Sequence, residues 1–148
     1  YSAWNMFRDF KRNRTYGHLH DTRSFEQAVD EELRGAEMRW EHRYLTRGHY
    51  AEQLTRYFGI FGREPLLVLR YTDLKKDPSG TLARVCAHVG LQEHTFDPSI
   101  LKVRDNVRAY PEPLDPALAD RLYRYFTPRS EELQKLLGPE WDLDERGT

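Results

Sequence analysis

The sequence has a single cysteine, Cys86, and its charges almost cancel. One cysteine excludes a disulfide within the chain and a zinc site built on several thiolates. The net charge of −1, from 23 Lys and Arg against 24 Asp and Glu, provides no general electrostatic attraction for DNA or RNA. The sequence also lacks any run of about eighteen apolar residues, so it predicts no membrane-spanning helix.

Two patterns that carry chemistry in other proteins are incomplete. His18 and His20 are separated by one residue, but no acidic or cysteine side chain follows at ligand spacing, so a polar loop is the simpler interpretation. Gly59, Gly62 and Arg63 suggest a phosphate-binding loop. They precede the predicted strand, however, whereas a phosphate cradle requires the order strand, loop, helix. The sequence therefore predicts no metal site and no glycine-rich phosphate cradle.

What is present is the pattern of a folded, mainly helical chain. Hydrophobic residues make up 39% and aromatic residues 13% of the sequence, which excludes a disordered chain. Apolar residues recur at helical spacing in six segments, and Ser24 and two Asp-Pro pairs stand where helices should begin. The predicted helices span residues 3–11, 25–38, 50–61, 78–89, 116–127 and 128–137, and loops are expected at 13–22 and 97–113.

One segment differs from the helices. Leu66 to Tyr71 is a short, nearly continuous apolar run, which predicts a single buried strand, parallel to its neighbours because helices flank it. A lone strand leaves its ladder groups unpaired. Partner strands are therefore expected outside this chain or in another copy of it. The aromatic start at Tyr1 agrees with an expected cut inside a larger protein.

Three blocks, in this order, resemble the sulfotransferase family that uses 3′-phosphoadenosine 5′-phosphosulfate (PAPS). The first is Tyr1-Ser2 before an aromatic-rich helix. The second runs from Arg47-Gly48-His49-Tyr50 through residues 66–74 to Gly90-Leu91, with Thr72 where the family usually has glutamate. The third extends from Asn106 to the run Tyr-Phe-Thr-Pro at 125–128.

The resemblance implies an α/β fold, the P-loop-like sulfotransferase fold with a central parallel sheet flanked by helices. Residues 1–148 would form the C-terminal, mostly helical part of one such domain. It further implies an enzyme that transfers a sulfuryl group from PAPS to a hydroxyl group of a carbohydrate or small-metabolite acceptor. The phosphosulfate cradle and the base would belong to a missing N-terminal half, so this chain contributes no catalytic residue and is expected to be inactive alone.

The resemblance also suggests binding residues. Ser2 would donate to the 3′-phosphate of PAPS or of the product adenosine 3′,5′-bisphosphate, Tyr71 would border the adenine, and Arg108 would bind phosphate. Arg47 and Tyr50 would lie at the acceptor cleft. Each has a simpler alternative: an N-cap for Ser2, a core position for the two tyrosines and a solvated surface charge for the two arginines.

Two other functions remain open at the sequence level. The aromatic helix faces would also suit a non-catalytic helical module that binds a partner protein. A fragment of a P-loop nucleotide kinase is a second alternative, but it should carry an arginine-rich lid, and none is evident. The compartment is predicted to be cytoplasmic, or the Golgi lumen if an N-terminal anchor is missing.

Overall fold

The computed structural model describes residues 2–12, 20–92, 95–101 and 113–141, with only the backbone of Ser2 and Arg12. Within these ranges the chain forms helices joined by short connections. The helices are α1 (Ser2–Arg12), α2 (Phe25–Leu33), α3 (Tyr50–Phe61), α4 (Tyr71–Lys76), α5 (Pro78–His88), α6 (Pro98–Leu101) and α7 (Pro116–Leu137), and short 3₁₀ turns lie at Trp40–His42 and Thr46–Gly48.

The helix starts predicted at Ser24, Asp77 and Asp115 are confirmed in atomic detail. The Ser24 hydroxyl accepts from the Gln27 amide at 3.1 Å, and the Gln27 side chain accepts in return from the Ser24 amide at 2.8 Å. Asp77 and Asp115 cap α5 and α7 by accepting from the Gly80 and Leu118 amides, each at 2.9 Å, and each is followed by proline in the first turn. These side chains satisfy amides that a helix start otherwise leaves without an acceptor.

The chain divides into two compact units, residues 1–56 with 110–148 and residues 57–109. The first unit holds the main core, where α1, α2 and α7 bury their apolar faces around Tyr44 and Leu45. The aromatic rings of Phe7, Phe25 and Tyr44 meet with centroids 5.2–6.1 Å apart, a favourable tilted or edge-to-face distance. Leu45 is fully buried, which contributes about 1.5–3 kcal/mol relative to exposure.

The second unit has a smaller interior. Helices α4 and α5 follow one another around the Asp77 cap, and α5 buries Thr81 and Cys86. A Schellman motif ends α5: Gly90, at φ 72°, donates to the Ala87 carbonyl and Leu91 donates to that of Cys86. The sequence prediction that Gly90 ends this helix is confirmed.

The predicted α/β fold with a central parallel sheet is wrong for this chain, because the described residues contain no strand. Residues 66–70 are non-helical, and Arg70 has extended dihedrals of −83° and 135°. A β-strand requires a hydrogen-bonded neighbouring strand, and the sequence contains only this one segment with the pattern of a strand. Tyr71, expected at the strand end, instead begins α4.

Three helix predictions also need correction. Helix α2 ends at Leu33 rather than Met38, because Gly35 takes φ 71° and closes a Schellman motif there. The two helices expected on either side of Pro128 form one helix, α7. The face of α3 that should be buried is exposed at Tyr50, Tyr57 and Phe61. A short helix, α6, occupies part of the loop expected after residue 97.

Candidate functional site

The backbone that carries the predicted acceptor residues is fixed by one carboxylate. Glu32, on α2, accepts hydrogen bonds from the consecutive amides of Tyr44, Leu45 and Thr46 at 2.7–2.9 Å, and from the Thr46 hydroxyl at 2.6 Å. Successive amides that point at one anion form a strong charge-assisted cluster. The turn Thr46–Gly48 that follows therefore has a defined position against α2.

A second carboxylate supports this segment from the core. Asp21 is only 2% exposed and accepts from the Tyr44 hydroxyl at 2.8 Å and from Arg23 at 2.6 Å. Burial alone would raise the pKa of Asp21, but the hydrogen bonds from Arg23 and Tyr44 outweigh it and lower the pKa to about 2. Burial, together with the hydrogen bond to this carboxylate, raises the pKa of the Tyr44 phenol.

Replacement of Asp21 by asparagine is expected to make the free energy of unfolding depend less on pH between about pH 4 and pH 2. The pKa of Asp21 falls from its usual 3.8 to about 2 on folding, so its stabilising effect is complete above about pH 4 and is lost as the pH falls to about 2. The contribution should be about 1–2 kcal/mol, because Arg23 is partly exposed and screened. Urea unfolding of Asp21→Asn between about pH 2 and pH 7 measures it. Asp120→Asn, in an exposed pair, is the control, and profiles that stay parallel to wild type for both variants would contradict the assignment.

Arg47 lies on the surface of the first unit beside a tryptophan. Its guanidinium carbon is 5.1 Å from the Trp40 ring centroid, and its terminal nitrogens contact the Trp40 carbonyl at 3.4 Å and the Met6 sulfur at 3.2 Å. Trp40 itself is 69% exposed. Arg47 and Trp40 thus form one continuous surface above the turn that Glu32 holds.

His49 lies among three polar side chains from α3 and α7. Arg129 Nε donates to His49 Nε2 at 3.0 Å, and the Tyr125 hydroxyl lies 2.8 Å from the same nitrogen. The other ring nitrogen, Nδ1, is 3.2 Å from a Glu52 carboxylate oxygen. Since arginine can only donate, Nε2 carries a lone pair here and the proton belongs on Nδ1. The Arg129 guanidinium also stacks on Tyr125, 3.8 Å from the ring centroid.

The first unit also has a surface groove of about 440 Å³. It lies between α1 and the starts of α2 and α7. Aromatic rings of Trp4, Phe7 and Phe25 form its walls, and Arg8 and Lys11 border it. Among the predicted binding residues whose side chains the structure describes, which are Arg47, Tyr50 and Tyr71, none lines this groove.

A family model settles the relationship that the sequence blocks suggested. The model described as "Sulfotransferase domain" matches residues 1–107, which is well over half of the chain. The chain belongs to the sulfotransferase domain family. The segments that carried the resemblance from Tyr1 to Leu91 fall inside the match, whereas Arg108 lies one residue beyond it.

A solved sulfotransferase gives the fold of this family segment. The crystal structure of a sulfotransferase from Alicyclobacillus acidocaldarius superposes with a TM-score of 0.66 at 24% identity, over 91% of this chain and 49% of that chain. The chain thus has the fold of part of a sulfotransferase and spans about half the length of this relative. A comparison with curated proteins gives no significant match.

The sulfotransferase residues predicted from the sequence are spread over both units. Ser2 is the first residue of α1, and its side chain lies outside the described part. Arg47 and Tyr50 belong to the first unit, where Tyr50 begins α3 with its ring exposed, so its alternative role in a buried face is wrong. Tyr71 belongs to the second unit and is 72% exposed, so a core position is wrong for it too. Arg108 and His18 lie outside the described residues.

Three side chains of this sulfotransferase segment were missed by the sequence reasoning. Trp40, Glu32 and Arg129 lie outside the blocks that carried the resemblance. No local pattern indicates them, because each acts through a partner 7 to 80 residues away. In the described ranges no group of three or more His, Cys, Asp or Glu side chains could hold a metal ion, and no helix has the length and apolar character to cross a membrane.

Proposed function

We propose that this chain is part of an enzyme that transfers a sulfuryl group from PAPS to a hydroxyl group of a carbohydrate or small metabolite. The match to the sulfotransferase domain model over residues 1–107 carries the proposal. The chain spans about half of the solved relative. The phosphosulfate cradle and the proton acceptor are therefore assigned to the other half of such a domain, and the cytoplasm remains the predicted compartment.

The start of α1 supports a role in nucleotide binding. Ser2 is the first residue of a helix of eleven residues, and the first amides of a helix point outward with a partial positive charge. A phosphate placed there would receive amide hydrogen bonds in addition to one from a serine hydroxyl. Ser2 is therefore proposed to bind the 3′-phosphate, with Tyr71 and Arg108 as further nucleotide contacts.

The turn after Glu32 supports a role in acceptor binding. Arg47 is held in place by Met6 and Trp40, and the exposed Tyr50 begins the next helix three residues later. A fixed cation and a phenol hydroxyl are groups that orient a hydroxylated substrate through hydrogen bonds. Arg47 and Tyr50 are therefore proposed to form part of the acceptor wall.

Substitution of Ser2 by alanine is expected to weaken binding of adenosine 3′,5′-bisphosphate about tenfold, because a hydrogen bond to a charged phosphate is lost. Isothermal calorimetry on a complete domain that includes this chain measures the change. Ser24→Ala is the matched control, since it removes the cap of α2 and should leave the nucleotide affinity unchanged. Equal affinities of wild type and Ser2→Ala would remove Ser2 from the nucleotide site.

A second candidate function is a helical interaction module without catalysis. The exposed side chains of Tyr57, Ile60 and Phe61 on α3 favour it, because such apolar surface normally lies in an interface. Nucleotide affinity distinguishes the two candidates, since an interaction module has no need to bind adenosine 3′,5′-bisphosphate.

A further inference from the structure

The exposure of the Trp40 indole is a feature of the first unit that the proposed function does not yet explain. Its exposure of 69% is unusual, because tryptophan carries a large apolar surface and is highly buried on average. Trp4, in the same unit, packs against Phe7 and Phe25 with ring centroids 5.1–6.0 Å apart. A ligand that covers an exposed indole removes apolar surface from water, which lowers the free energy of the complex.

The indole is also held in place before any ligand binds. Trp40 begins a 3₁₀ turn, and its carbonyl accepts from Arg47 at 3.4 Å while the guanidinium lies 5.1 Å from its ring centroid. Glu32 fixes the backbone just before Arg47 through three amides. A surface that is ordered in advance loses little conformational entropy on binding.

Two arginines belong to the same short segment as Trp40. The Arg43 amide donates to the Trp40 carbonyl at 3.3 Å, and its exposed side chain donates to the Met38 carbonyl at 3.4 Å. Arg47 lies over the Trp40 ring and contacts the Trp40 carbonyl and the Met6 sulfur. In the described part of the chain neither arginine has a carboxylate within ion-pair distance, whereas neighbouring Arg39 is paired with Glu41 at 2.9 Å. Two arginines whose charge is not neutralised favour an anionic ligand.

We infer that Trp40, Arg43 and Arg47 form a subsite for an anionic saccharide, and that this saccharide belongs to the acceptor. The inference rests on the proposed function, because the acceptor must supply a hydroxyl group and Arg47 lies in the proposed acceptor wall. The C–H face of a pyranose ring is apolar and slightly positive, so it packs on the negative π face of an indole. A sulfate or carboxylate on the same ring would bind the two guanidinium groups.

Nuclear magnetic resonance of the three indole N–H groups tests the subsite in this chain. Glucose 6-sulfate is the probe, and glucose and inorganic sulfate are the matched controls for its ring and its charge. Glucose 6-sulfate is expected to shift the Trp40 signal, assigned with Trp40→Phe, in a saturable manner. Glucose or sulfate alone should bind at least about tenfold more weakly, because each offers one of the two interactions.

Charge-removing variants locate the ligand. Arg43→Met and Arg47→Met are each expected to weaken glucose 6-sulfate binding about tenfold. Arg124→Met removes an arginine that pairs with Asp120 on α7, and it should bind as wild type does. Among the described residues, the Arg43 side chain donates to the Met38 carbonyl five residues earlier, and this contact is exposed, so the Arg43 variant keeps the test valid if Arg47→Met unfolds.

Three binding results would overturn parts of the proposed subsite. Sulfate binding as tight as that of glucose 6-sulfate would overturn the saccharide and leave an anion site. Glucose binding as tight as that of glucose 6-sulfate would overturn the role of the positive charge. Wild-type affinity of Arg43→Met for glucose 6-sulfate would do the same. Adenosine 3′,5′-bisphosphate binding in a complete domain is measured in parallel. Its absence, with saccharide binding intact, would count against sulfuryl transfer and not against the subsite.

Discussion

Replacement of Glu32 by alanine is expected to lower the free energy of unfolding by about 3 kcal/mol, the largest loss among the substitutions considered. The carboxylate accepts four hydrogen bonds from residues 44–46. Two of the amide donors belong to Tyr44 and Leu45, which are buried in the core. Without the carboxylate these amides lose their acceptor, and water reaches them poorly. Urea unfolding followed by circular dichroism measures the loss.

Two variants show whether the carboxylate itself is responsible. Glu31→Ala, at the adjacent position of α2, removes a carboxylate that pairs with Arg23 at the surface and should cost less than about 1 kcal/mol. Glu32→Gln keeps one acceptor oxygen but places an amide N–H₂ against backbone donors, so an intermediate loss is expected. Equal stability of Glu31→Ala and Glu32→Ala would show that the amide cluster contributes nothing specific.

Gly48→Ala is expected to destabilise the first unit by about 2 kcal/mol. A methyl group at Gly48 would lie 2.6 Å from Cε1 of the Phe126 ring, closer than atoms pack. The turn Thr46–Gly48 would have to move away from α7, or the ring would have to rotate. The same urea experiment gives the value, and the Arg47 and His49 contacts should weaken with it because both residues adjoin Gly48.

A matched glycine and a second-site change provide the controls. Gly59 lies inside α3 with no atom within 4 Å of an added methyl, so Gly59→Ala should be neutral or stabilising by up to about 1 kcal/mol. Phe126→Leu removes the clashing ring atoms, and Gly48→Ala should cost less in that background than in wild type. Additive effects of the two substitutions would contradict the steric explanation.

The helices that could be predicted from the sequence are those with a local start or stop signal. Asp77-Pro78 and Gly90 bracket α5, and the capping box of Ser24 and Gln27 starts α2. These signals act through hydrogen bonds within three or four residues, so they need no knowledge of the fold.

The errors have different origins. The predicted helix 25–38 overlooked a local stop signal, because the Schellman motif at Gly35 ends α2 at Leu33. Pro128 did not end a helix. Helix α7 continues through it, and the side chains of Thr127 and Arg129 donate to the carbonyls of Tyr123 and Tyr125 in the preceding turn. The apolar run at 66–70 lacks a partner strand among the described residues, so hydrophobicity alone could not make it a strand.

The candidate site also contains residues that could be predicted from the sequence and residues that could not. Arg47 and Tyr50 could be proposed from a compact sequence block, and Ser2 from its place before an aromatic helix. Trp40 could not, because its exposure and its contact with Arg47 depend on how the segment between α2 and α3 folds. The contact of His49 with Arg129 joins residues 80 positions apart, beyond any periodicity that a single sequence reveals.

The surroundings of His49 make this ring an internal reporter of the packing between α3 and α7. With the Arg129 donor and the Tyr125 hydroxyl at Nε2 and a carboxylate at Nδ1, the ring is held as one tautomer. Nitrogen chemical shifts separate the tautomers of a neutral imidazole. If α7 moves away from α3, the ring loses its contacts with Arg129 and Tyr125 at once and exchanges between the two tautomers. One histidine spectrum therefore shows whether a substitution elsewhere in the first unit has disturbed this junction.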